Sequence, residues 1–208
     1  MLTKHRLCYL WLVVFTTGCA TSYKPVTTSL YPYRSKSSVN EQITIGYDYD
    51  VQQMSNNKRY SNSEKNNNMA AVALRIENNS DQAIIITKES LLIFKAGIQV
   101  QSITPLEYTK RVKQKGGFHL FHALWGPWAF SYNTNSYGQT DTKFFYLPVG
   151  AVIGLGNAIK ASNANALHLA TLQSNEIWGK QVLPGEKAYG IILIRAFGYE
   201  ELRFEYAE

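Results

Sequence analysis

Cysteine is nearly missing from this chain: of its 208 residues only Cys8 and Cys19 bear a thiol, and none follows position 19. Beyond that point there can be no internal disulfide, no thiolate-bound metal and no cysteine nucleophile, so a folded domain there rests on its core alone. Long apolar runs are missing too. The longest, Leu7 to Phe15, is far short of the roughly 20 residues that span a bilayer. Strong charge of either sign is also absent, since 21 Lys and Arg face 15 Asp and Glu. The densest basic cluster, Lys110, Arg111, Lys113 and Lys115, fits the solvated side of one short helix, and nucleic acid is not an expected partner. Neither Gly-x-Ser-x-Gly nor a Ser/His/Asp arrangement occurs, and the carboxylates fall mostly on alternating outward strand positions. The chain reads as no enzyme.

What stands at the N-terminus is more specific. Lys4 and Arg6 precede the apolar stretch, and Thr16-Thr17-Gly18-Cys19 closes it with small residues. This resembles the lipobox of bacterial lipoproteins. The resemblance implies that residues 1–18 are a cleaved signal peptide and that Cys19 is the lipidation site, bearing a diacylglyceryl group and an N-acyl chain such as palmitate. One acyl chain holds a membrane only marginally, so a stable anchor needs more than one. Ala20 stands where an aspartate would resemble an inner-membrane retention signal. The expected location is therefore the outer membrane, lipid-anchored, on either its periplasmic or its surface face. Losing Lys4 and Arg6 with the leader leaves 19 basic against 15 acidic residues, a mild net +4.

Residues 19–40 are rich in Ser, Thr, Tyr, Pro and Lys without an apolar period, and read as an extended, mobile, lipid-anchored tether. Ser55 to Asn68, almost wholly polar, reads as a long exposed connection. Around it lie segments of period two. Ile43, Ile45, Tyr47 and Tyr49 alternate with polar residues, as do Val72, Leu74 and Ile76, and near the end Leu202, Phe204 and Tyr206. Asn78-Asn79-Ser80-Asp81 before Ile84 to Thr87 predicts a hairpin. Leu91 to Phe94 and Ile98 to Val100 flank Gly97 as a second one. Leu183-Pro184-Gly185-Glu186 predicts a type II turn ahead of the strand Tyr189 to Ile194. These segments are similar to the sandwich domains of bacterial envelope lipoproteins. The expected fold is mainly β, an immunoglobulin-like antiparallel β-sandwich, in a single domain over 41–208 with a helical insertion of two or three helices at about 104–175.

Within the insertion, Thr104-Pro105-Leu106-Glu107 is a capping-box start and Gly116-Gly117 an end, predicting a helix over Pro105 to Lys115. Pro148 opens a second helical stretch that runs to Leu172. Gly150, Gly154 and Gly156 match no phosphate-binding pattern and read as close helix packing. His119 and His122 are three apart but lack a third ligand unless folding brings Asp141 or His168, so no metal is expected, and the histidines read as partly buried imidazoles paired with backbone or carboxylate. Trp125, Trp128, Phe130 and Tyr132 are either core cover or an exposed patch for a partner or ligand.

The expected function is a non-catalytic binding or accessory module in an outer-membrane assembly. Its partners are the membrane, through Cys19, and another envelope protein, with no cofactor. The alternative is a carrier of an apolar ligand or lipid, with the helical insertion lining its pocket.

Overall fold

The computed structural model describes residues 19–38, 42–116, 128–134, 137–138, 140–146, 149–196 and 198–206; the side chains of 128–134, 140–146, 149 and 150 are outside the description. The chain divides into two compact units. The larger comprises Tyr23–Lys113 and Asn165–Glu208, the smaller the chain up to Ser22 together with Gln114–Ala164.

In the larger unit, β1 (Ser35–Ser38), β2 (Ile43–Asp48), β3 (Ala70–Asn78) and β10 (Lys187–Ile194) form an antiparallel four-stranded sheet in that order. A second sheet holds β11 (Leu202–Tyr206), β5 (Leu91–Lys95) and β6 (Ile98–Gln99), and a two-stranded ribbon joins β4 (Ile84–Ile85) to β9 (Gln181–Val182). The period-two pattern places Ile43, Ile45, Tyr47, Val72, Leu74, Ile76, Ile192 and Ile194 on one face of the first sheet. There they form one core with Leu91, Ile93, Leu202 and Phe204 of the second. β3 is buried on both faces because it is central. Its outward Ala71 and Ala73 are small, and β10 has Gly190 at the spot where a Cβ would come 2.8 Å from the Cα of Ile177.

Two turns follow the sequence closely. Ala96 and Gly97, both at positive φ, join β5 to β6 as a two-residue hairpin turn. Gly185 at φ 74° closes Leu183-Pro184-Gly185-Glu186, with the Glu186 N–H donating to the Leu183 carbonyl at 3.0 Å. The expected hairpin at Asn78–Asp81 does not form. Buried Asn78 instead donates its side-chain amide to the carbonyls of Gln82 (2.7 Å) and Val182 (3.0 Å), which turns the chain away from β3 so that β4 pairs with β9.

Helices are more abundant than expected, so the protein mixes helix and strand where a mainly β fold was anticipated. One of them, α1 (Val51–Met54), directly precedes the polar stretch Ser55 to Asn68 read as an exposed connection, and α2 (Lys58–Asn67) occupies that stretch. α3 (Pro105–Arg111) starts as predicted, the Glu107 N–H donating to Thr104 Oγ1 at 3.2 Å with Pro105 in the first turn. It ends at Arg111, short of Lys115. The long α4 (Val149–Ser174) matches the stretch expected after Pro148, which itself lies outside the described residues. In the smaller unit, β7 (Trp128–Thr134) and β8 (Thr140–Tyr146) pair as an antiparallel ribbon.

Beside the expected single domain with an insertion at about 104–175, the chain divides by its contacts into two units, the smaller of which joins the chain up to Ser22 with Gln114–Ala164. The mobile tether is corrected. Ala20, Tyr23, Val26 and Tyr33 are buried, Thr28–Leu30 form a short 3-10 turn, and Ser35–Ser38 are β1, paired with β2. Tyr33 lies on the outer side of the four-stranded sheet, with the Arg75 guanidinium 5.4 Å from its ring centre and Tyr189 beside it. Isolated apolar and aromatic anchors do there what a periodic pattern does in a strand.

Candidate functional site

In the smaller unit, Cys19 is exposed whereas its neighbour Ala20 is only 2% exposed. The Ala20 N–H donates to Asn157 Oδ1 on α4 at 3.1 Å. Thr21 donates its N–H to Gln114 Oε1 at 3.0 Å, and Gln114 Nε2 donates back to the Thr21 carbonyl at 2.7 Å. A side-chain amide that meets both polar groups of one residue imitates a neighbouring strand, and each such bond is worth on the order of 1 kcal/mol net. The chain is therefore held from the residue that follows Cys19.

α4 presents its own pattern in this unit. Ala161 and Ala164 are buried, while Val152, Leu155 and Ile159 are 70%, 57% and 54% exposed. These three share one face at helical spacing. The helix contains no Asp or Glu, and its one lysine, Lys160, is exposed. Gly156 falls on the same face, and a Cβ there would meet nothing within 4 Å. Close packing at Gly156 is thereby corrected: the position opens outward. Among the described residues no helix is long and apolar enough to cross a membrane.

Of the aromatic residues singled out, Trp125 lies outside the described residues. Trp128, Phe130 and Tyr132 occupy alternate positions of β7, opposite Tyr146, Phe144 and Thr142 of β8, and their side chains lie outside the description. The same holds for Asp141, while His119 and His122 fall in an undescribed segment.

In the larger unit a buried polar network lies where sequence reading placed an exposed loop. Asn57 grips Lys24 as Gln114 grips Thr21, accepting the Lys24 N–H (2.8 Å) and donating Nδ2 to its carbonyl (2.8 Å). That backbone grip fixes which end of the Asn57 amide is which. Its Nδ2 then also reaches Gln52 Oε1 at 3.4 Å, which leaves Gln52 Nε2 to donate to His168 Nε2 at 3.1 Å. His168 must therefore carry its proton on Nδ1, an atom with no hydrogen-bond partner among the described residues. The imidazole is fully buried, with its ring among Tyr23, Tyr60 and Tyr108. Burial alone pulls its pKa down to about 3, so it stays neutral.

Beside it Glu64, 4% exposed, accepts the Tyr108 hydroxyl and, at 2.8 Å, the Ala71 N–H. Burial dominates these favourable bonds and pushes its carboxyl up to about 8. Glu64 is thus a neutral acid at pH 7. Sequence reading missed this cluster because Gln52, Asn57, Tyr60 and Glu64 sit in a polar stretch without an apolar period; only the Tyr60/Glu64 spacing of one helical turn hints at a buried face.

Chemically the network is a buried, uncharged set of hydrogen-bonded groups. One surface groove, about 740 Å³, is lined by Lys95, Glu107, Arg195 and Glu200 among others, and their charges pair within it: Lys95 with Glu200 at 2.9 Å and Arg195 with Glu107. Among the described residues no group of three His, Cys, Asp or Glu is placed to hold a metal. Comparison with protein-family models, with curated proteins and with solved structures finds no match.

Proposed function

We propose that the chain is a lipid-anchored protein of the bacterial outer membrane, acylated at Cys19, whose folded part serves as a non-catalytic binding or accessory module for another envelope protein. The observation that carries this reading is the end of the lipobox-like leader: Cys19 is exposed, and the chain is held to the fold from Ala20 onward. An acyl group at Cys19 meets no steric demand from the core. Two antiparallel sheets sharing one apolar core fit an immunoglobulin-like sandwich, a scaffold suited to contact surfaces. A non-catalytic role is supported by the chemistry of the buried network, in which His168 and Glu64 are neutral and sequestered. It is supported also by the groove lined by Lys95, Glu107, Arg195 and Glu200, whose cations and carboxylates neutralise one another.

Metabolic labelling with a palmitate analogue tests the anchor. Label is expected in the wild-type chain and absent from Cys19→Ser, which should keep its leader or be released as a soluble species; equal labelling of both overturns the anchor. Crosslinking in intact envelopes tests the module: a discrete envelope partner is expected, and recovery of the chain alone counts against it.

A further inference from the structure

We infer that the outward face of α2 and α3, in the larger unit, is the contact surface of this module and that it takes an acidic surface of the envelope partner. This deepens the reading of the chain as a binding module and rests on it. Three observations carry it.

The first is the distribution of charge. Past residue 18 the chain has 19 basic and 15 acidic residues. Residues 51–68 and 104–113, the stretches around α2 and α3, hold six of the cations, Lys58, Arg59, Lys65, Lys110, Arg111 and Lys113, but only two carboxyls, Glu64 and Glu107. Elsewhere past residue 18, 13 cations meet 13 carboxyls. The whole net charge therefore sits on this pair of helices. Neither local carboxyl offsets it, since Glu64 is buried and protonated at pH 7 and Glu107 is paired with Arg195.

The second is that these cations share one surface. Ser63 Oγ and Asn67 Nδ2 of α2 each donate to the Arg111 carbonyl of α3 at 3.4 Å, and Glu64 accepts the Tyr108 hydroxyl. The helices thus lie side by side, with Tyr60, Ser61, Glu64 and Tyr108 turned inward. Lys58, Lys65, Lys110, Arg111 and Lys113 are exposed, and Arg59 is half-buried. Lys58, Lys110, Arg111 and Lys113 belong to none of the ion pairs among the described residues. Like charges gathered in this way repel one another, and an acidic surface brought within a screening length of about 8 Å relieves that repulsion and is steered onto the face.

The third is what stands between the cations. On α2 the outward side shows Asn62 and Asn66, and Leu106 is the single exposed large apolar residue of the two helices. A helix that settles into lipid needs an apolar face, and this pair has none to insert. Side-chain amides among ammonium and guanidinium groups suit protein carboxylates, to which all of them donate charge-assisted hydrogen bonds.

The test titrates the whole mature chain carrying Cys19→Ser with a fluorescent peptide of glutamates and with a glutamine peptide of equal length. Only the glutamate peptide is expected to bind, and at least tenfold more weakly in high salt than in low salt. Lys58→Glu, Lys110→Glu and Arg111→Glu together should weaken it at least tenfold at an unchanged melting temperature. The same change of charge made off the face, with Lys36→Glu, Lys88→Glu and Lys160→Glu, should leave most of the binding. Should the first triple variant melt early, glutamine at the same three positions is read instead, with at least a threefold loss expected. Equal losses from the two triple variants overturn the inference, because net charge alone then accounts for binding, as does a chain that binds both peptides alike or neither. Binding to phosphatidylglycerol vesicles without binding to the glutamate peptide also overturns it and assigns the face to the membrane. In intact envelopes, the crosslink to the partner should be lost from the face variant and kept by the other. A partner that the face variant keeps upholds the module and removes this face, so the two claims fail separately.

Discussion

Replacing Glu64 with glutamine should make the protein more stable at alkaline pH and alter the shape of its pH profile. The folded-state carboxyl titrates near 8 against an ordinary value of 4.5. Between those values the native state keeps a proton that the unfolded state has released, so stability falls as pH rises, at about 1.4 kcal/mol per pH unit. His168 acts in the opposite sense. Its native pKa of about 3 lies below its ordinary 6.5, so between those values the unfolded state holds the extra proton and stability falls as pH drops. From about pH 4.5 to 6.5 the two slopes cancel, giving a plateau; from about 6.5 to 8.5 Glu64 acts alone and stability should drop by roughly 2 kcal/mol. Glutamine is an isostere of the neutral acid and can still accept from Tyr108 and Ala71. In Glu64→Gln the alkaline decline should vanish, and the plateau should become a rise of about 2 kcal/mol from pH 4.5 to 6.5, now owed to His168 alone. Urea unfolding followed by tryptophan fluorescence across this range measures it. Parallel profiles for the two proteins would refute the burial of a protonated Glu64.

Two further predictions probe the core and the held N-terminal segment. Phe204→Ala should cost about 3–5 kcal/mol, because Phe204 is fully buried between the sheets, whereas exposed Arg203→Ala should stay within about 0.5 kcal/mol; equal costs in thermal unfolding would mean the β11 register is wrong. Asn57→Ala should cost on the order of 1–3 kcal/mol, since it strands the polar groups of Lys24 and the amide of Gln52. It should also speed amide exchange around Lys24, and unchanged exchange there would show that the clamp holds nothing.

What the sequence disclosed and what it hid divide along one physical line. Wherever an element is stabilised by a regular apolar face, its pattern is written locally: Ile43/Ile45/Tyr47, Val72/Leu74/Ile76 and Leu202/Phe204 all appear at the expected alternation, and the Thr104-Pro105 cap and Pro184-Gly185 turn use local chemistry. Elements held by side-chain amides from distant positions leave no such trace. Thr21 is gripped by Gln114, 93 residues on, and Lys24 by Asn57, 33 residues on. In α2 only Tyr60, Ser61 and Glu64 are buried, so nine-tenths polar sequence folds as helix on the strength of contacts with Tyr108 and His168. The β3–β4 hairpin failed for the same reason, because the Asn78 side chain bonds Val182, 104 positions away, in place of a local turn.

If Cys19 is acylated as proposed, the held N-terminal segment also bears on how the protein would meet its proposed partner. A flexible tether of some 20 residues would let the fold sample roughly 25 Å of reach, at 5–6 Å times the square root of its length. Here the segment is held within each unit: Ala20 and Thr21 spend backbone polar groups on Asn157 and Gln114 in the smaller, and Lys24 on Asn57 in the larger. On the proposed anchoring, a unit held directly after Cys19 would meet its partner at the membrane surface, which suits the proposed accessory subunit better than a carrier that shuttles cargo across a gap. Loosening the clamps while keeping Cys19 therefore separates the two: Asn57→Ala combined with Gln114→Ala should extend the crosslinks formed in intact envelopes to proteins further from the membrane. Identical crosslinks from the clamped and unclamped chains would mean that the grip on Ala20–Lys24 has no part in setting reach.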